Sequence, residues 1–371
     1  MKPEKAIKIP TTEGIKYAGS KLKLMPQILK LAAKTNSKKI LDGFAGTTRV
    51  SQAFAKSDYQ VVSSDRSVWS KTFGLCYLKN KKPSDYYEEI LDHLKNLPPK
   101  DGWFSEKYGG SPNEKRSSSD DGFKKPFQIH NTQKLDAIRE EIDNLNLDEI
   151  EKSVLLTSLI LALDKVDSTI GHHASYLNEW SPRSYKSLKL KVPKIFQSEE
   201  QHKVFQGDIF EAVDETEFDL AYFDPPYGSN NEKMPPSRVR YSAYYHLWTS
   251  IILNDKPETF GKAKRRKDTS DTQAASVFEE FRKDQNGKFI AVDAIERLLA
   301  KTNAKHIILS YSSGGRATAK DLFEILESTG KIIEFIKVDY KRNVMASMRW
   351  TNDWTRKSER RNEEYLFLIR K

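Results

Sequence analysis

The sequence contains a single cysteine, Cys76, among 371 residues. One thiol can build neither an internal disulfide nor a multi-cysteine metal centre, so a disulfide scaffold is excluded and a reducing compartment is expected. Long apolar runs are missing too. The most apolar stretch, Val154 to Leu163, is followed at once by Asp164 and Lys165. It is about half the roughly 20 residues that a membrane-spanning helix needs, and it reads as a buried helix. Met1 to Pro10 carries no apolar secretory core. No internal repeat is found, and no grouping of His, Asp or Glu has the spacing of a metal site, so no metal is expected.

Charge, in contrast, is plentiful. Charged residues make up 31% of the chain and hydrophobic ones 37%. Lys and Arg number 62 against 52 Asp and Glu, giving a net charge of +10 and a pI near 9.2. The length suits one large domain, or a core carrying a big insertion. A basic balance favours a polyanionic partner, although many basic proteins bind no nucleic acid.

Short apolar runs mark the strands of a mostly parallel sheet. Lys39 to Asp42 and Gln60 to Asp65 flank a helical stretch, Thr47 to Lys56, with Val50, Ala53 and Phe54 on one face. Strand, glycine-containing turn, helix and strand form a βαβ unit. The alternation stops between Arg66 and His202, where a polar segment (residues 105–125) and two helical segments (135–145 and 147–165) lie. It resumes with strands at Val204 to Asp208 and Phe218 to Asp224. After a second interruption come His306 to Tyr311, Ile332 to Val338 and Glu364 to Ile369. The last two leave no room for a confident crossover helix, which points to an antiparallel pair closing the sheet. The expected fold is α/β and Rossmann-like, with seven strands, the last antiparallel, and a mainly helical insertion. Polar insertions follow strand carboxyl ends, where such folds place ligands.

Chemistry is concentrated in Asp224-Pro225-Pro226-Tyr227, directly after an apolar strand. The lone pair of an adenine amino group is delocalised into the ring, which makes that nitrogen a poor nucleophile. Acceptors for its hydrogens, here the Asp224 carboxylate and the Pro225 carbonyl, can pull the nitrogen toward tetrahedral geometry. Two prolines stiffen the turn that presents them. Tyr227 offers a flat face to a base removed from a helical stack. The plain alternative is a proline-stabilised turn. A second motif, Leu41-Asp42-Gly43-Phe44-Ala45-Gly46-Thr47-Thr48, sits at the first strand-to-helix turn. Its glycines allow close backbone approach, and the following helix N-terminus favours an anionic group. Asp65 is placed to accept ribose hydroxyls, and Asp208 to accept an adenine amino group of a nucleoside cofactor. Taken singly these residues are common in turns; four carboxylates (Asp42, Asp65, Asp208 and Asp224) at four strand ends are not.

Together with Lys16-Tyr17-Ala18-Gly19-Ser20-Lys21, these motifs and their order resemble the D12 class of adenine-specific DNA methyltransferases. Further segments resemble its restriction-modification branch: Tyr244 to Trp248, Lys262 to Arg266, Asp164 to Val166 with Gly171-His172, and Ser310 to Ser313. The resemblance covers most of the chain. It implies S-adenosylmethionine as cofactor, double-stranded DNA as substrate and N6-adenine methylation as the reaction. It also implies a cognate restriction endonuclease as partner, and a bacterial or archaeal cytoplasm, at the nucleoid through DNA, as the location. Tyr17 and Lys21 would help build the cofactor pocket. Asp42, Phe44, Gly46 and Thr47 would form its loop, while Asp65 and Asp208 would hold ribose and base. Asp224, Pro225, Pro226 and Tyr227 would hold the target adenine. The family loop is commonly Phe-x-Gly-x-Gly, and here Thr48 replaces the second glycine. Residues 1–80 and 203–371 are expected to form the catalytic core, and 81–202 an inserted target-recognition domain.

Several basic residues are candidates for phosphate contact: Lys262, Lys264, Arg265 and Arg266, and also Arg349 and Arg356 in a segment that includes Trp350 and Trp354. For the first cluster a solvated loop is the alternative, and for the second a packed Trp pair under a basic skin. His172 and His173 are read as structural. Two rival functions stay open, an amino-group methyltransferase acting on RNA and a catalytically silent DNA-binding module.

Overall fold

The computed structural model describes residues 9–111, 117, 122–228, 240–270, 276–340 and 362–371. Seven strands form the central sheet: β1 (Lys39–Asp42), β2 (Gln60–Asp65), β3 (Lys203–Gln206), β4 (Leu220–Phe223), β5 (His306–Ser312), β6 (Lys331–Tyr340) and β7 (Asn362–Arg370). Their order is β6-β7-β5-β4-β1-β2-β3, and every pairing is parallel except those made by β7, which runs against both neighbours. The expected antiparallel closing strand is therefore present, inserted between β5 and β6.

Side chains alternate across each strand, so the sheet buries two faces. Ile40, Val61, Leu220, Tyr222 and Ile308 pack on one face beneath α1 (Met25–Ala33) and α2 (Arg49–Ala55). Val50, Ala53 and Phe54 of α2 are buried, on the face that the sequence marks as apolar. Leu41, Val62, Ala221, Phe223 and Leu309 face the other way. There they meet α8 (Ile209–Glu215), α11 (Ile290–Lys301) and α12 (Ala319–Thr329).

The segment between β2 and β3 is mainly helical. It runs through α3 (Val68–Gly74), one π-helical turn (Leu75–Lys79), α4 (Ser84–Asn96), α5 (Trp103–Tyr108), α6 (Ile129–Asn144) and α7 (Glu149–Asp164). A reciprocal capping box starts α7: Asp148 accepts from the Glu151 N–H while Glu151 accepts from the Asp148 N–H, each at 2.8 Å. Every residue from Val154 to Leu163 is buried. The apolar ones share one cluster with Trp69, Phe73, Cys76 and Tyr77, and with Tyr245, Leu247, Trp248 and Ile251 at the start and along the length of α10 (His246–Leu253), which follows the one-turn α9 (Tyr241–Tyr244). Packing is thus continuous across the expected boundary at residue 80. No described helix is long and apolar enough to cross a membrane.

Candidate active site

Strand order reverses between β1 and β4, since β2 and β3 lie to one side and β5, β7 and β6 to the other. A crevice forms at such a switch point, beyond the strand carboxyl ends. Here it is a cavity of about 770 Å³ whose wall includes Gly43, Phe44, Asp65, Asp208, Tyr17, Lys21 and the whole Asp224 to Tyr227 turn. The sequence-predicted residues that form this wall are separated by up to about 200 positions and are brought together by strand topology.

One half of the cavity suits a nucleoside. Gly43 has no room for a side chain, because a Cβ there would lie 2.6 Å from the Phe223 ring. Gly46 has φ +50° and lies under the Tyr17 ring. Asp65 accepts from the Gly46 N–H (2.9 Å) on one oxygen and from the Ser67 N–H (2.8 Å) on the other. These bonds hold its carboxylate at the wall and leave further lone pairs. Burial raises its pKa, against the pull of those N–H groups. Asp208 lies just past β3 and caps α8, accepting from the Phe210 N–H at 3.0 Å. Its other oxygen is 3.5 Å from Arg66. Phe44 stands edge-on to Phe278, with centroids 5.1 Å apart.

Three loop residues lie behind this wall. Asp42, Gly46 and Thr47 are buried. Asp42 accepts from the Ser51 hydroxyl at 2.6 Å, and its second oxygen has no partner. Burial pushes its carboxyl up to about 7. The residue supports the loop from below. Thr48, in place of the family's second glycine, adopts φ +59°, the left-handed conformation that glycine favours.

The other half holds a compact group of charges. The N-terminal segment is strapped to the helices beneath it. Arg49 donates to the carbonyls of Thr12 (2.9 Å) and Gly14 (2.7 Å), and Lys16 pairs with Asp167 at 2.6 Å. Tyr17 then stacks on Tyr245 (4.8 Å between centroids), with Tyr241 and Trp69 beside it. The Lys21 ammonium lies 3.2 Å from Asp224 and 3.3 Å from Glu364, and donates to the Tyr227 hydroxyl at 2.5 Å. Burial opposes that ammonium, but Asp224 and then Glu364 outweigh it and raise its pKa. Burial also raises the pKa of both carboxylates, with Lys21 working against the rise.

Tyr227 departs from the simple stacking expectation. Its hydroxyl donates to Asp224 at 2.5 Å and lies 3.1 Å from the Ser310 hydroxyl. The ring packs on Tyr311 with centroids 4.7 Å apart. Tyr227 and Lys21 both reach the same Asp224 oxygen, so that oxygen is already shared inside the protein.

The basic cluster divides. Lys262 is exposed, Lys264 lies over the Phe123 ring (4.3 Å) and Arg265 over the Phe260 ring (4.6 Å). Arg266 corrects the expectation of a phosphate contact. It is 5% exposed and makes two 2.7 Å bonds to Asp255 and one of 2.9 Å to Asp268, so its donors are engaged inside the protein. Arg349 and Arg356 lie outside the described residues. His172 stacks on Tyr244 (4.4 Å) and His173 meets Trp248 edge-on (4.4 Å), which is a packing role. Burial lowers the His172 pKa to about 4. No group of three or more potential metal ligands occurs among the described residues.

Sequence reasoning did not single out Glu364, Arg316, Tyr241 or Trp69. Glu364 left one signal, a carboxylate set just before the apolar run Tyr365 to Ile369.

Known proteins resemble this chain over most of its length. The modification methylase StsI of Streptococcus sanguinis is 30% identical over 349 residues, covering 88% of this chain and 48% of its own. The type II methyltransferase M.NlaIII of Neisseria lactamica is 29% identical, covering 88% of this chain and 91% of its own. M.FokI of Planomicrobium okeanokoites is 26% identical, covering 96% and 53%. The chain thus spans about half the length of StsI and M.FokI and nearly all that of M.NlaIII. The profile of one family matches residues 17–312, from the aromatic that stacks over the glycine loop to the end of β5, and the chain belongs to that family, the D12 class N6 adenine-specific DNA methyltransferases.

Proposed function

We propose that this protein transfers a methyl group from S-adenosylmethionine to the N6 amino group of adenine at a defined site in double-stranded DNA. One observation carries the reading: Asp224, on a turn stiffened by two prolines, faces the same cavity as the Phe44 and Asp65 wall. A base held at one and a nucleoside held at the other share one cavity. Positioning of this kind supplies most of the catalysis for an in-line displacement.

S-adenosylmethionine, when bound, supplies an electrophilic methyl group on its sulfonium. The donor set fits it. Asp65 keeps acceptor capacity for ribose hydroxyls, Asp208 for an adenine amino group, and Phe44 and Tyr17 provide ring faces. Asp224 and the Pro225 carbonyl accept the hydrogens of the target amino group. Transfer to that nitrogen displaces one proton. Asp224 lines the cavity and can take it, and its raised pKa makes it a better base than an exposed carboxylate. Extruding the base costs a few kcal/mol, which contacts to DNA must offset.

The names of the relatives, modification methylases and type II methyltransferases, support protective methylation beside a restriction endonuclease. A place in a prokaryotic cytoplasm, at the nucleoid, belongs to the same proposal. Residues 81–202 are the segment we assign to reading the sequence. Incubation with labelled S-adenosylmethionine and unmethylated genomic DNA, with RNA in parallel, followed by digestion to nucleosides, tests the reading. Label in N6-methyladenine from DNA is expected. Label from RNA alone would replace the substrate, and none from either would favour a silent binding module.

A further inference from the structure

Beside the catalytic turn a guanidinium is buried with two of its three nitrogens unpartnered. Arg316 is 4% exposed, and its Nε and Nη1 are buried with no hydrogen-bond partner. Its backbone N–H donates to the Tyr227 carbonyl at 2.9 Å, which ties it to the last residue of the tetrapeptide. The side chain lies directly on the residue after that. A Cβ on Gly228 would stand 1.8 Å from Nη1 and 2.1 Å from Cζ, and Gly228 has φ +62°. Glycine is thus required both by the backbone and by the guanidinium that crosses it.

An isolated buried charge is strongly unfavourable unless something pairs with it. Burial lowers the Arg316 pKa; Glu279 and Glu280 work against that from a distance, but neither makes an ion pair with it among the described residues. Glu279, itself 5% exposed, accepts from the Tyr241 N–H through one oxygen and leaves the other unpartnered. No ion pair joins it to Arg316 among the described residues. The Glu280 carboxylate is held by Arg282 at 2.7 Å. Arg240, another buried cation, lies nearby and disfavours the Arg316 charge. The two unpartnered nitrogens still lack an acceptor, which an anion from outside the protein can supply.

Its position says which molecule brings that anion. Asp65 and Asp208, on the cofactor half, stand at β2 and β3, across β1 from the catalytic turn. Arg316 follows β5, on the opposite side of β4. We propose that Arg316 forms a phosphate site for the nucleotide that presents its base to Asp224, pairing with a phosphodiester that flanks the extruded adenosine. An arginine-phosphate pair is strong and directional. Made only when the base has left the stack, it stabilises the extruded state. The proposal rests on the DNA methyltransferase reading above.

The test uses the full chain and a short unmethylated duplex carrying the site mapped from the N6-methyladenine that the wild type deposits. Phosphates flanking the target adenosine are replaced one at a time by neutral methylphosphonates, and Kd is measured across a salt series for wild type and Arg316→Gln. One neutral position should weaken wild-type binding about tenfold and change Arg316→Gln by less than about twofold. The slope of log affinity against log salt should be shallower by about one in the variant. Cofactor affinity should be unchanged. Equal losses in both proteins at every position, with equal slopes, would overturn the proposal and leave Arg316 a structural neighbour of Glu279. Should Arg316→Gln fail to fold, the wild type alone decides, because indifference to every flanking methylphosphonate refutes the site. If the wild type methylates no DNA, the underlying reading fails first and the proposal with it.

Discussion

Lys21 is one ammonium facing two carboxylates, and the active site depends on how that charge is shared. In the proposed reaction the ionised form of Asp224 is the stronger acceptor and the one that can take a proton, and burial raises its pKa. The rate should therefore fall as pH drops through a value above the ordinary aspartate range of about 3.9. Glu364→Gln removes the competing carboxylate and leaves Lys21 to Asp224. The Asp224 pKa should then fall, moving the acid limb of the kcat/KM profile to lower pH. A limb that stays in place would show that Glu364 does not tune Asp224. Tyr227 gives a second prediction. Its hydroxyl occupies Asp224, whereas its ring is the part that can stack on a base. Tyr227→Phe should keep transfer within about tenfold of wild type, while Tyr227→Ala should lose on the order of 100-fold, the scale of a lost base-aromatic stack at about 1–3 kcal/mol. Equal loss in both variants, measured as kcat/KM on duplex DNA, would assign the role to the hydroxyl instead.

Among the elements, the parts that could be read in the sequence were those with local signals. β1, β2 and β4 are short apolar runs that end in or at an acidic residue, so Asp42, Asp65 and Asp224 were legible, as was the glycine loop. Glu364 and Arg316 were not. Glu364 meets Lys21 across 343 positions because β7 inserts between β5 and β6, a pairing that no local pattern encodes. The start of α6 was missed for a related reason. Its first turn is polar in sequence, yet Asn131 is buried there and its side chain donates to the Lys186 carbonyl and accepts from the Leu188 N–H. Asp208 shows how one residue can serve two readings, since it caps α8 and still faces the cavity. Thr48 supplies the prediction at this scale. A β-branched residue at φ +59° is strained by about 1–2 kcal/mol. Its side chain is also buried and accepts from Gln52 at 3.2 Å. Thr48→Gly relieves the first effect and loses the second, so thermal stability and cofactor affinity should change little. A loss above about 3 kcal/mol would show that the side chain, rather than the backbone, holds the loop.

For the molecule as a whole, the helical segment between β2 and β3 shares a core with α10, which follows the Asp224 to Tyr227 turn. Trp69 on α3, Tyr77 on the π-helical turn, Leu159 and Ile160 on α7, and Trp248 on α10 all lie in one cluster. That joint core supports both halves of the cavity, and α7 also anchors the N-terminal segment through Asp164 and Lys16. The net charge of +10 suits a polyanionic partner. The central claim, that Asp224 acts on the target amino group while the rest of the chain binds, meets its most direct test in Asp224→Ala. Single-turnover methyl transfer to an unmethylated duplex should be followed alongside DNA and cofactor affinity. Transfer is predicted to fall at least about 100-fold, the loss typical of a group that stabilises the transition state, with both affinities within about threefold of wild type. Transfer at the wild-type rate, or loss of both affinities together with the fold, would contradict it.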